Sequence, residues 1–231
     1  MGYFKGFDKE FWSFFDELKE NNNREWFTDN KPRYQDHVVT PCLDFIVDMG
    51  ERLKDISPHY TAIAKASGGS MFRIYRDARF SADKRPYKEN AGIQFRHKLG
   101  KDAHAPGFYV HLQKGRIFYG GGIWQPENQT LNEIRDRICY YPKKWQAVIE
   151  NDDIINVFGG IEGDGLSRPP RGYDADHKYI EDIKRKSFFA MKEETDYRKT
   201  MKADFLDEVA NTFAAASPLL AFICDAKGIK F

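Results

Sequence analysis

Cations and carboxylates crowd into one stretch of this chain, residues 73–88, which reads RIYRDARFSADKRPYK. Arg73, Arg76, Arg79, Lys84, Arg85 and Lys88 stand there against Asp77 and Asp83, a local charge of +4 in a chain whose net charge is +1. A guanidinium offers five donors in a flat fork that fits phosphate or carboxylate, so the first chemistry suggested is capture of an anion. Two carboxylates cannot neutralise six cations, which favours a ligand over the alternative, a closed Arg–Asp staple that only holds a loop. On a strand over 71–76, Arg73 and Tyr75 share one face, Phe72, Ile74 and Arg76 the other, and Arg79 and Lys84 follow on a loop ending near Tyr87. The expected site is Arg73, Arg76, Arg79 and Lys84 around a phosphate or carboxylate group, with Tyr87 and Trp124 as apolar walls. If a reaction takes place there, Asp77 or Asp83 is the acid or base, kept ionised by its cationic neighbours. These residue types name no cofactor and do not decide between an enzyme and a binding protein.

Other stretches could join or rival this site. Arg168-Pro169-Pro170-Arg171-Gly172-Tyr173 is a turn stiffened by two prolines, and Arg171 on it could close over the same anion. Gly120-Gly121-Gly122 before Trp124 and Pro126 could present backbone N–H groups to phosphate or could simply permit a bulge or close packing; it matches neither the dinucleotide fingerprint nor the P-loop. His97, His104 and His111 recur every seven residues without the i, i+4 pairing of a zinc enzyme, and capping explains Asp174 and Asp176 beside His177, so no metal site is expected. There is no G-x-S-x-G elbow and no cysteine beside a histidine. Residues 73–116 together carry +7, leaving −6 elsewhere. With Tyr75, Tyr87 and Tyr109 this basic region could hold single-stranded nucleic acid, although a pI of about 7.7 is mild for that role. A third class is a non-catalytic module whose arginines are structural and whose aromatic surface meets a protein partner.

The elements that must position these groups read as α+β. Asp8 caps a helix in which Phe11, Phe14, Phe15 and Leu18 recur at helical spacing until Asn21, and Pro32 opens a second helix that Pro41 should kink or divide. Short aromatic and β-branched runs follow from about 60 to 124, with Phe108, Val110 and Leu112 alternating with Tyr109, His111 and Gln113, and a turn at Lys114-Gly115. They predict a central, mainly antiparallel sheet. Helices are expected from Pro126 and from Pro142, a loop over 157–175, helix over 176–186, a short strand at 187–191, and helix over 197–225 broken at Pro218. The helical N-terminal part thus spans about 8–56 and the helical C-terminal part about 126–228, all within one domain of 231 residues.

The 41% apolar and 31% charged composition is that of a globular chain, and the 15% aromatic share makes Phe and Tyr the bulk of its core. Cys42, Cys139 and Cys224 are odd in number and far apart, which suggests neither disulfides nor a cysteine metal site and fits a reducing cytoplasm. Charges interrupt the N-terminal apolar residues, and the longest apolar run, 213–224, contains Ser217 and Pro218, so no secretion signal or membrane anchor is expected.

The pattern Arg73-x-x-Arg76-Asp77-x-Arg79-Phe80-x-x-Asp83-Lys84-x-x-Tyr87 resembles the signature of a mainly bacterial family, domain-of-unknown-function 2461. Supporting matches are Asn22-Asn23-Arg24-Glu25-Trp26-Phe27, Pro106-Gly107-Phe108-Tyr109, the Gly121-Gly122 to Pro126 run and Pro170-Arg171-Gly172-Tyr173. The resemblance implies a stand-alone cytoplasmic domain of this length, and it assigns no catalytic role. Where relatives favour Lys between Pro and Gly, Arg171 keeps the charge and adds a bidentate fork.

Overall fold

The computed structural model describes residues 2–100 and 104–231; Lys101 and Asp102, which entered the charge count above, lie outside them. Asp8 caps helix α1 (Lys9–Glu20) by accepting from the Phe11 N–H at 2.7 Å, and the helix buries Phe11, Trp12, Phe14, Phe15 and Leu18. Asn23 then caps α2 (Arg24–Asp29), which leads to α3 (Lys31–Tyr34). Pro41 does not divide the next helix. The chain takes a π turn over Gln35–Val39, with the Thr40 N–H bonded to the Gln35 carbonyl five residues back, and so enters α4 (Thr40–Ile56) with the proline in its first turn. An inserted residue of this kind lets the helix absorb a missing N–H.

The sheet is an antiparallel meander of β1 (Ala91–Arg96), β2 (Gly107–Gln113), β3 (Arg116–Ile123) and β4 (Phe188–Glu194), in that spatial order. Lys114 and Gly115 form the β2–β3 turn, with Gly115 at φ +80°, a conformation glycine adopts without strain. Between β3 and β4 the chain makes α5 (Asn128–Tyr140), α6 (Pro142–Ile149), α7 (Asp152–Phe158) and α8 (Ile180–Ile183). A 3₁₀ turn at Tyr197–Met201, α9 (Phe205–Ala215) and α10 (Ser217–Ala226) follow, the last two bent by 47° with Pro218 in the first turn of α10. The protein is α+β, one antiparallel sheet flanked by helices.

Two expected elements differ. Residues 71–76 are not a strand: they touch the sheet through the single bridge Met71–Ile93, and Tyr75 bridges Tyr87 instead. Pro86 has no N–H to extend that second pairing, and the charged residues between turn away into solvent, so 74–88 form an arm folded on itself. The helix expected at 176–186 shrinks to the single turn α8. Ahead of it the Asp174 and His177 side chains accept from the backbone N–H groups of Asp176 and Tyr179, which competes with helical bonding.

Strand alternation divides the sheet. Ile93, Phe95, Phe108, Val110, Leu112, Ile117 and Tyr119 are buried against the helices, with α1, α4 and α9 supplying much of one core cluster. A second cluster gathers Ile123, Phe188 and Ala190 with α5, α6 and α10. The other face carries Gln94, Arg96, Tyr109, His111, Gln113, Arg116 and Phe118, which stay partly exposed. Among the described residues no single helix is long and apolar enough to cross a membrane.

Candidate functional site

The arm is fastened at its root by the asparagine that precedes the α2 cap. Asn22 donates to the Tyr87 carbonyl and to Glu89, and accepts from the Tyr87 N–H, each at 3.1 Å, while the Tyr87 ring stacks on Phe27 of α2 at 4.1 Å. Along the arm, Arg76 bonds Asp83 at 2.8 Å, Arg85 bonds both Asp83 and Glu89, and Arg79 forks onto Asp77 at 2.7 and 2.9 Å. Lys84 points at the carbonyls of Ala78 and Arg79. Glu89, one residue beyond the segment counted from sequence, thus joins Asp77 and Asp83 in occupying most of the arm's cations. The Arg79 side chain holds the Asp77 carboxyl down to about 2, and the Arg85 fork, followed by backbone donation and Arg76, holds Asp83 lower still. Both carboxylates are fixed anions at neutral pH. Phe80 at the arm's tip is 96% exposed.

Arg73 and Lys88 have no carboxylate partner among the described residues, and they stand where the arm leaves the open face of the sheet. Burial, and then the nearby Arg73 charge, lower the pKa of Lys88, whose ammonium lies 5.4 Å over the Phe72 ring. Phe72 adjoins Tyr109 at 6.1 Å, Tyr109 adjoins Phe118 at 5.9 Å, and Phe118 stacks on His111 at 4.6 Å. Tyr109 leans across β1 above Gly92, where a Cβ would come within 2.7 Å of its hydroxyl. Down β2 its Oη meets His111 Nδ1 at 3.1 Å, and His111 Nε2 meets Gln113 Oε1 at 3.2 Å. Burial depresses the pKa of His111, outweighing the Gln113 contact, and Arg116 adds to the depression, which leaves the ring neutral. The Arg116 guanidinium caps Phe118 at 5.4 Å, and Arg96 with Phe72 and Gln94 borders a hollow of about 20 Å³ at the β1 edge. Neither Arg96 nor Arg116 has a carboxylate partner among the described residues; Glu193, in register with Phe118, is an acid entering the face from β4.

The remaining sequence candidates lie apart. Trp124, 56% exposed, follows β3 and stacks on His104, whereas Tyr87 precedes β1 at the opposite end of the strands, so the two do not wall one pocket. Arg171 is exposed on a turn whose Tyr173 donates to Asp136 of α5, beyond the β4 edge, while the arm leaves the β1 edge. The arm and the 168–173 turn therefore flank opposite edges of the sheet and do not close over one anion. The three glycines sit inside β3 rather than on a strand-to-helix loop. A Cβ on Gly121 would meet Leu220 and Phe108, and one on Gly120 would lie 2.0 Å from the Ala190 carbonyl, so close packing accounts for them. His97 holds the Lys230 carbonyl, far in role from His104 and His111, and no group of three His, Cys, Asp or Glu side chains poised for a metal occurs among the described residues.

A groove of about 580 Å³ also opens on the helical side, lined by residues that include Lys192, Lys199, Lys202, Glu208 and Asn211. Glu208 there accepts from Tyr119 Oη at 2.7 Å and Lys192 at 2.8 Å, and Lys199 pairs with the buried Glu194. Burial pushes Tyr119 far above the usual phenol range, whereas its donors hold Glu208 low against the cost of burial, so neither titrates near neutrality and the cluster behaves as a fastening of β4 to α9.

A family profile described as "conserved hypothetical protein (DUF2461)" matches residues 10–222, a span that takes in the arm and all four strands. The chain belongs to that family. No curated protein and no solved structure matches it. Residues of the Arg73–Tyr87 pattern build the arm, while the open sheet face adds Lys88, Arg96, His111, Arg116 and Phe118, which lie outside that pattern. Their signal was present in the alternation of Tyr109, His111 and Gln113 along β2, but which face the helices leave open is a tertiary property.

Proposed function

We propose that this protein binds a phosphate- or carboxylate-bearing ligand on the open face of its sheet, beside the root of the arm. The observation that carries this reading is the set of four cations, Arg73, Lys88, Arg96 and Arg116, with no carboxylate partner among the described residues. Lys88 lies over Phe72, Arg116 over Phe118 and Arg96 beside Phe72 and Gln94 on one face, with Arg73 near Lys88, whereas Arg76, Arg79 and Arg85 are already paired with acids. A half-buried lysine whose proton affinity is lowered by burial and by a like charge gains most from an arriving anion. The low pKa values of Asp77 and Asp83 make them organisers of the arm rather than proton carriers, which favours binding over acid–base catalysis.

Thermal shift with inorganic pyrophosphate, citrate and adenosine monophosphate tests the reading. At least one should raise the melting temperature by mass action, and the shift should vanish in Lys88→Gln/Arg116→Gln, whose melting temperature without anion stays close to that of the parent. No shift with any of the three, or an undiminished shift in the double variant, overturns it.

A further inference from the structure

Resting on that anion-binding reading, we infer that the ligand of the open sheet face is single-stranded nucleic acid, its bases stacked along Phe72, Tyr109 and Phe118 and its phosphates held by Arg73, Lys88, Arg96 and Arg116. The rings form a row across the arm root, β2 and β3, with neighbouring centroids 6.1 and 5.9 Å apart. Each end of the row has a cation above a ring, Lys88 on Phe72 and Arg116 on Phe118, both at 5.4 Å, and His111 stacks on Phe118 at 4.6 Å, so a base would join the row by displacing a cation from the ring it covers onto the adjoining phosphate. Planar π surfaces beside positive charge are what unpaired nucleotides require, since every base has a face to stack and every linkage a phosphate to neutralise. Inorganic phosphate or an aliphatic carboxylate would use the charges and leave the rings idle.

The surroundings of the row agree with this ligand. Gly120 stands in register with Tyr109, and Gly122 with Gly107, so β3 adds no side chain of its own next to Tyr109, and both glycines are buried. Those glycines are dictated by the close approach of the β4 backbone. Gln113, whose amide oxygen meets His111, adds an amide nitrogen capable of meeting base edges. On the far side Glu193 brings a carboxylate up to Phe118, which would repel a phosphate and confines the strand to β1–β3 and the arm root. A duplex is disfavoured because its bases are already stacked and their faces closed to the protein.

The test is fluorescence anisotropy with labelled oligothymidylate and oligouridylate of about 12 nucleotides, the length of an ordinary single-strand site, against a duplex of equal length, pyrophosphate and polyglutamate. The single strands should bind at least about tenfold tighter than the duplex, and log affinity should fall with log salt at a slope of about −2 to −3 for three to four phosphate contacts. Phe118→Ala should weaken binding about tenfold while the salt slope stays unchanged. Arg116→Gln should instead reduce the slope by about 0.7, a readout that a merely misfolded variant would not give. Oligothymidylate and oligouridylate together separate DNA from RNA without altering the inference. Pyrophosphate binding with no preference for the oligomers overturns the nucleic-acid inference and leaves the anion reading standing; failure of pyrophosphate and oligomers alike overturns both. Duplex bound as tightly as single strand, or polyglutamate competing equally with no effect of Phe118→Ala, also overturns it.

Discussion

At the scale of single residues, Asn22 does more for the arm than any of the arm's own charges. The Arg79–Asp77 and Arg85–Asp83 contacts are solvent-exposed and Arg76–Asp83 is only partly buried, and such pairs contribute little because water screens them. Asn22 instead satisfies both the N–H and the C=O of Tyr87 and one oxygen of Glu89, across 65 and 67 residues of chain. Removing those three bonds by Asn22→Ala should cost about 2 kcal/mol, at roughly 1 kcal/mol or somewhat less per partly exposed bond. In a chain of this size that lowers the melting temperature by roughly 4–8 °C. A urea midpoint unchanged from the parent would show that the arm is anchored elsewhere.

At the scale of elements, β3 is defined by what its glycines exclude. Gly121 faces the helices, where an added Cβ would come within 2.8 Å of Leu220 Cδ1 and 2.9 Å of Phe108 Cδ1, both side-chain atoms that can turn aside. Gly120 faces backbone, with the Ala190 carbonyl at 2.0 Å, and a backbone in a ladder has nowhere to go. Gly121→Ala should therefore cost about 1–3 kcal/mol, the usual range for overpacking, and Gly120→Ala should cost more by parting β3 from β4. Denaturation of the two variants decides the point, and the reverse order would contradict this account.

At the scale of the whole molecule, one sheet serves two hydrophobic clusters. Phe158 of α7 packs against both, and the α9–α10 pair straddles them, with Ala216 in one and Leu219 in the other. Trp12 lies in the first cluster and Trp145 in the second, so tryptophan fluorescence samples each half. Unfolding by urea should give one transition, coincident by far-ultraviolet circular dichroism and by fluorescence of single-tryptophan variants that retain Trp12 or Trp145. Two separated midpoints would mean that the β4 cluster is a unit of its own.

Much of this molecule was legible in its sequence because the relevant physics is local. Asp8 as a cap, the helical spacing of Phe11, Phe14, Phe15 and Leu18, the alternation from Phe108 to Gln113 and the Lys114-Gly115 turn each depend on a few neighbouring residues, and each is found in place. The cation-rich segment and the α+β class were likewise written in residue type and order. What the sequence could not carry is how far apart its candidates would lie. Residues 71–76 have the composition of a strand, yet Pro86 and the surrounding charge leave them only bridges, because a strand exists only where a partner supplies hydrogen bonds. Tyr87 and Trp124 fall at opposite ends of the strands, and Arg171 beyond the opposite edge, because strand order and register decide distance. Sequence alone determined that this protein gathers positive charge around residues 73–116; only the tertiary structure decided that carboxylates occupy most of the arm's share, and that Arg73, Lys88, Arg96 and Arg116 border a row of rings on the face the helices leave uncovered.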